Sequence, residues 1–144
     1  MISIRVEMYT YNTEVKLHHT DAAGGLFFSH QLTLAHDAYQ AFMETIGFPL
    51  SYFVTTAPYF LPIVHTESDY TRPLQIGQKL RISLGVSQVG RTSFILQYDI
   101  KTDTGVDCGR VQTVHVCMDR TTRKKTGLPD DLKEKLSAYL PAGD

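Results

Sequence analysis

Only one long stretch of this chain repeats its apolar residues at helical spacing, and on both sides of it the period is that of strands. Leu32, Ala35, Tyr39, Phe42, Met43 and Ile46 fall three and four residues apart, which puts them on one face of a helix of about five turns. Gly47 followed by Pro49 is a helix stop. Ahead of the helix, residues 1–17 alternate polar and apolar side chains with many β-branched and aromatic types, the pattern of a half-buried strand. Beyond it, residues 59–71 hold an apolar stretch that ends in the turn signal Arg72-Pro73-Leu74-Gln75-Ile76-Gly77. Leu80, Ile82, Leu84 and Val86 then alternate with polar neighbours, and so do Phe94, Leu96, Tyr98 and Ile100. Val111 to Met118 is apolar on both faces, as in a central strand. Val89-Gly90-Arg91-Thr92 and Thr102-Asp103-Thr104-Gly105 are hairpin connections, and Pro129 to Leu140 can form one short amphipathic helix.

One helix cannot cover both faces of a sheet. The expected class is therefore α+β: a five-stranded antiparallel sheet wrapped around one long helix, with the last four strands in a hairpin-linked series. With no repeat or linker, residues 1–144 read as a single domain. An open sheet leaves edges, and edge pairing between copies removes one, so a homo-oligomer is expected, a dimer or a dimer of dimers. The net charge of −1 gives no general attraction to nucleic acid. No apolar run reaches the roughly 18 residues of a membrane helix, so neither nucleic acid nor membrane is expected as a partner. Cys108 and Cys117 lack metal-ligand spacing and read as reduced thiols, and the first residues hold no signal-peptide core. The expected compartment is the cytoplasm.

The most informative passage is His18-His19-Thr20-Asp21-Ala22-Ala23-Gly24-Gly25-Leu26-Phe27-Phe28. An acidic residue precedes a glycine pair, and the pair precedes the long helix. Unpaired N–H groups at a helix start attract a developing oxyanion, and glycines let a ligand approach the backbone closely. A carboxylate in that loop can act as base or nucleophile on a polarised carbonyl. Asp21 is equally suited to capping the helix or forming a turn, and the residues alone leave both roles open. His18 and His19 beside Asp21 do not make a metal site, because neighbours in an extended segment face opposite ways and no further ligand has the spacing. Neither metal nor cofactor is expected.

Thr20-Asp21-Ala22-Ala23-Gly24 with Phe27-Phe28, the long helix, then Asp69-Tyr70-Thr71-Arg72-Pro73-Leu74-Gln75-Ile76-Gly77 and Val89-Gly90-Arg91-Thr92-Ser93-Phe94 stand in the order of a known family. The chain resembles the hot-dog-fold acyl-CoA thioesterases of the 4-hydroxybenzoyl-CoA type. Its helix segment Ala35-His36-Asp37-Ala38-Tyr39 is most similar to the 1,4-dihydroxy-2-naphthoyl-CoA thioesterases of phylloquinone-making phototrophs. The resemblance implies that Asp21 is the catalytic carboxylate and that the Phe28 N–H donates to the thioester carbonyl. The apolar helix face that bears Tyr39, with Phe27 flanking its start, suits a substrate pocket for a planar aromatic group, with His36 either partnering an aromatic hydroxyl or serving as a core histidine. Coenzyme A would meet Arg91, Thr92 and Ser93 at a hairpin tip. The basic run holding Arg123 and Lys124 is a second candidate contact, or simply a solvated loop. Two departures stand out. Gly25 occupies a position usually aliphatic in the family, which is expected to loosen the turn. Some hot-dog thioesterases use a helix glutamate, and here the acidic residues on the helix are Asp37 and Glu44. The leading expectation is hydrolysis of an aromatic acyl-CoA, specifically 1,4-dihydroxy-2-naphthoyl-CoA, without choosing between a nucleophilic and a general-base carboxylate. The alternatives are a broad-range short-chain or 4-hydroxybenzoyl-type thioesterase, and a non-catalytic acyl-CoA-binding module.

Overall fold

A computed structural model describes residues 8–141. The part of the expected first strand that falls on residues 1–7 lies outside them. The elements in chain order are β1 (Tyr9–Glu14), α1 (His30–Thr45), α2 (Leu50–Thr55), β2 (Tyr59–Phe60), β3 (Ile63–Tyr70), β4 (Lys79–Val89), β5 (Ser93–Thr102), β6 (Asp107–Val116), β7 (Met118–Asp119) and α3 (Asp130–Ser137). Among the described residues no helix is long and apolar enough to cross a membrane.

The five-stranded antiparallel sheet has the order β1-β4-β5-β6-β3 and lies against α1. Its alternation is the one read from the sequence. Leu80, Ile82, Leu84 and Val86 of β4, and Phe94, Leu96, Tyr98 and Ile100 of β5, are buried, whereas Arg81 and Gln97 are exposed. Helix α1 turns Leu34, Ala35, Ala38, Tyr39, Phe42 and Met43 onto that face. Each large side chain so buried stabilises the fold by roughly 1.5–3 kcal/mol.

The strand series needs one correction. β4, β5 and β6 are joined by hairpins, but β3 is not the hairpin neighbour of β4. It pairs with β6 at the far edge, and β1 takes the place beside β4. Residues 71–78 therefore cross from one edge of the sheet toward the other. Periodicity identifies strands but carries nothing about their order. Three further elements break no expected pattern but were not anticipated. Helix α2 forms after the Gly47–Pro49 stop, and β2 and β7 make a separate two-stranded ribbon. Helix α3 docks Leu132 and Leu136, one turn apart, with Asp130 and Asp131 at its start and Lys135 at its end to suit the dipole.

Candidate active site

Between β1 and α1 the chain makes one tight, stitched loop. Leu17–His19 form a single 3-10 turn in which buried His19 accepts the Lys16 N–H on Nδ1 at 2.9 Å. Burial, followed by the nearby His18, holds the His19 ring below the usual histidine range. Thr20 and Leu26 then bridge across Asp21–Gly25, closed by Asp21 N–H to Gly25 O and Gly24 N–H to Asp21 O, each 3.0 Å. Gly24 takes φ +83°, a conformation that strains any side-chain-bearing residue. Gly25 bridges to Gln75, and Leu26 N–H donates to Leu74 O at 2.6 Å, so the crossover segment holds the loop from behind. The glycine expected to loosen this turn is paired on both sides.

The Asp21 carboxylate is exposed, and its Oδ1 accepts the Ala23 N–H at 2.9 Å. Asp21 thus does form a turn, but it does not cap the helix. Ser29 occupies the cap position. The turn bond holds the carboxylate in one orientation and engages only Oδ1.

At the helix start, Phe27 N–H is taken by His19 O, and His30 and Gln31 N–H turn back to Phe27 and Phe28 carbonyls. The Phe28 N–H donates to no acceptor among the described residues. Three residues with no role assigned from the sequence fix this end of α1. Tyr70 donates its hydroxyl to Phe28 O at 2.7 Å. Gln31, 1% exposed, donates its amide to Asp69 O at 2.8 Å and to Ser68 Oγ at 2.9 Å. Gly109 makes room for that amide, since a Cβ there would lie 2.7 Å from both Asp69 O and Gln31 Oε1. A depression of about 340 Å³ opens beside this turn, bordered by Phe28, Tyr70 and Arg72. Phe27 packs on Phe28 and His30 and is 42% exposed.

A larger cavity, about 530 Å³, is lined by His36 and Tyr39 of α1, Phe53 of α2, Phe60 and Ile63 around β2 and β3, and Arg120 and Arg123. The structure therefore brings His36, Tyr39 and Arg123 to one chamber and leaves Asp21, Phe27 and Phe28 outside its lining. Arg120 donates to the Phe53 and Ala57 carbonyls and so ties α2 to the chamber wall. The guanidinium of exposed Arg123 lies 5.3 Å from the Phe60 ring centroid. His36 is exposed and sits edge-on to Tyr39, 5.5 Å between ring centroids, and is therefore not a core histidine. Burial pushes the Tyr39 phenol well above the ordinary tyrosine range, so it stays protonated. Arg91, Thr92 and Ser93 form the β4–β5 hairpin tip, which is held to residues 117 and 128 by Thr92 O and Arg91 O. Lys124 is exposed on the turn that follows β7. Neither group lines the chamber. Arg120, Phe60 and α2 could not be read as site residues, because their place in the chamber comes from the β2–β7 ribbon.

Residues 15–136 match the thioesterase-like superfamily, and the chain belongs to that family, with its hot-dog fold. It is 37% identical over 128 residues to the 1,4-dihydroxy-2-naphthoyl-CoA hydrolase of Nostoc punctiforme, covering 89% of this chain and 86% of that protein. To the enzyme of the same name from Synechococcus elongatus it is 34% identical over 129 residues, covering 89% and 94%. A solved 1,4-dihydroxy-2-naphthoyl-CoA thioesterase from Synechocystis superimposes with a TM-score of 0.86 at 29% identity, covering 91% of this chain and 96% of that one.

Proposed function

We propose that this chain is a thioester hydrolase that cleaves 1,4-dihydroxy-2-naphthoyl-CoA into 1,4-dihydroxy-2-naphthoate and CoA, a step of phylloquinone formation. The observation that carries this is the chamber. It is large enough for a bicyclic acyl group, largely apolar, and has the polar tips of His36 and Tyr39 without a hydrogen-bond partner among the described residues. The relatives of that name, matched over most of their length, support the same substrate.

In this reading the thioester carbonyl sits at the Phe28 N–H, where the helix start favours the negative charge that develops on oxygen. Asp21 either takes a proton from attacking water or attacks the carbonyl carbon itself to form an anhydride that water then opens. In both routes the C–S bond breaks and CoA leaves as thiolate, which needs little help from an acid. Arg123 at the chamber, and Arg91 with Thr92 and Ser93 at the hairpin tip, supply charge and hydroxyls for the CoA phosphates.

Strand β3 supports a homo-oligomer. One side of β3 pairs with β6 and the other carries no strand among the described residues, and Ile63, Val64 and Tyr70 on it are exposed. Antiparallel pairing of β3 with a second copy sets the Tyr70 end of one protomer against the Ile63 end of the other. The Asp21–Phe28 turn of one copy then faces the chamber of its partner, which joins the reactive loop to the acyl site.

A panel of CoA esters assayed by thiol release tests this reading. The expected result is a specificity constant for the dihydroxynaphthoyl ester about a hundredfold or more above those of acetyl- and hexanoyl-CoA. Equal rates across the panel would leave a broad-range thioesterase, and binding without turnover would leave a carrier module.

A further inference from the structure

The core face of β6 is not wholly apolar. Val111, Thr113 and His115 alternate on it and are all buried, with His115 at 0% exposure. Tyr98 and Thr113 share a hydrogen bond of 2.9 Å, and Thr113 and His115 Nε2 share one of 2.7 Å. These three groups carry one hydrogen each while His115 is neutral, and the two bonds use two of them. If the chain runs from Tyr98 toward His115, the ring hydrogen is left on Nδ1 with nothing to accept it. If it runs the other way, Nδ1 is left as a bare acceptor. In both cases Nδ1 ends the relay, and it is the buried side-chain polar atom without a partner among the described residues. Such an atom lowers stability, and an aromatic or aliphatic side chain in its place would not.

The position of the ring suggests what it is for. His115 stacks on Phe94, 4.7 Å between centroids and 4° between planes, and on its other side lies Tyr39 at 4.6 Å. Tyr39, neighbouring His36 and its cross-strand partner Ile63 all line the chamber. His115 is therefore immediately behind the chamber wall, where the His36 ring and the Tyr39 hydroxyl also lack hydrogen-bond partners among the described residues. The rest of the lining is apolar except for Arg120, which is tied to the Phe53 and Ala57 carbonyls, and exposed Arg123, whose guanidinium lies by the Phe60 ring.

We propose that His115 is a specificity-determining residue of the acyl chamber, the buried third member of a cluster with Tyr39 and His36 that recognises a hydroxyl on the acyl ring. The inference rests on the chamber being the acyl site. A hydroxyl is both donor and acceptor, so it satisfies Nδ1 whichever way the relay runs. A carboxylate could only accept and an ammonium group could only donate, so each would suit one direction of the relay alone. A hydroxyl seated against Tyr39 and His36 is the group that would complete the relay.

The test compares 1,4-dihydroxy-2-naphthoyl-CoA with unsubstituted 2-naphthoyl-CoA in four proteins: wild type, His115→Phe, His115→Asn and His115→Gln. The Asn amide places a polar atom where Nδ1 stands, and the Gln amide places one where Nε2 stands. The expected result for His115→Phe is a loss of about tenfold or more in kcat/KM on the hydroxylated ester, under twofold on the unsubstituted one, and no fall in melting temperature. Asn should restore part of the discrimination, and Gln should not. Equal losses on both esters, unchanged discrimination in Phe, or equal discrimination by Asn and Gln would each overturn the proposal. Should the variants not fold, nitrogen NMR of labelled imidazole in the wild type reads the same contact. 1-Hydroxy-2-naphthoate should shift the His115 Nδ1 resonance and 2-naphthoate should not; equal or absent shifts would overturn it. Wild type that hydrolyses hexanoyl-CoA but neither naphthoyl ester would bring down the substrate assignment and this inference together. Wild type active on both naphthoyl esters, with unaltered discrimination in the variants, brings down the inference alone.

Discussion

The hydroxyl of Tyr70, at the end of edge strand β3, donates to the main-chain carbonyl of Phe28, 2.7 Å away and 42 residues earlier in the chain. That bond ties the sheet edge to the turn from which α1 starts, and it fixes the peptide next to the proposed carbonyl-binding N–H. Substituting Tyr70→Phe removes the bond and little else. A hydrogen bond contributes about 0.5–1.5 kcal/mol, so kcat should fall by up to roughly tenfold with KM nearly unchanged and the melting temperature lowered by no more than about 6 °C. Steady-state kinetics on the preferred ester checks this, and an unaltered kcat would remove Tyr70 from the positioning of the site.

Gly109 supports the same turn from the other side of Gln31. A Cβ at this position meets the Asp69 carbonyl and the Gln31 amide at 2.7 Å, and the carbonyl is backbone that cannot simply rotate away. Gly109→Ala should therefore lower stability by about 1–3 kcal/mol in urea unfolding, as overpacking of a tight core does. A variant as stable as wild type would mean that the Gln31 clamp yields freely.

Much of the fold was legible because β4, β5 and α1 each bury a single regular face, and Leu80, Ile82 and Leu84 or Tyr39, Phe42 and Met43 announce that face by spacing alone. The position of β3 was not legible. Its residues Ile63–Tyr70 are mostly exposed, and nothing in their pattern says which edge they take. The site divides in the same way. Asp21 and Gly24 signal a turn through their chemistry, so the loop could be found, whereas the chamber is assembled from α1, α2, the β2–β7 ribbon and the turn at Arg123. His115 was visible only as one histidine among 6, because its significance depends on Thr113, Tyr98 and Phe94, which surround it in space.

The two basic groups proposed for CoA differ in place, and that difference can be measured. Arg123 borders the chamber and Arg91 sits on the hairpin tip. A phosphate contact remote from the carbonyl stabilises ground and transition states about equally, so either change to Ala should raise KM by roughly three- to tenfold and leave kcat within about twofold. A KM unchanged in Arg91→Ala but raised in Arg123→Ala would assign the nucleotide to the β7 turn. No change in either would remove both from the CoA site.

Acid stability reports on the buried relay. Burial, with a smaller contribution from His36, holds the His115 ring down to about 3; Phe94 and Tyr39 pack against the ring, and Tyr98 of β5 reaches it through Thr113. Between pH 6.5 and that value the unfolded chain carries the proton and the folded chain does not. Stability from this group is therefore complete above pH 6.5 and declines on acidification at about 1.4 kcal/mol per pH unit. From pH 6.5 to 5 the wild type should lose about 2 kcal/mol more than His115→Phe in urea unfolding. His19 acts in the same direction but is present in both proteins and cancels. Parallel losses in the two proteins would mean that His115 takes up its proton without unfolding.

The most direct measurement is CoA release from 1,4-dihydroxy-2-naphthoyl-CoA by the Asp21→Asn variant, with binding of the product measured on the same protein. The amide keeps the shape of the carboxylate and can still accept the Ala23 N–H, but it is neither a base nor a nucleophile of use. A carboxylate that activates water or attacks the carbonyl requires a rate loss of at least about a thousandfold, some 4 kcal/mol of transition-state stabilisation, with affinity and fold unchanged. A loss of less than about tenfold would contradict the assignment and move the chemistry to Asp37 or Glu44 on α1.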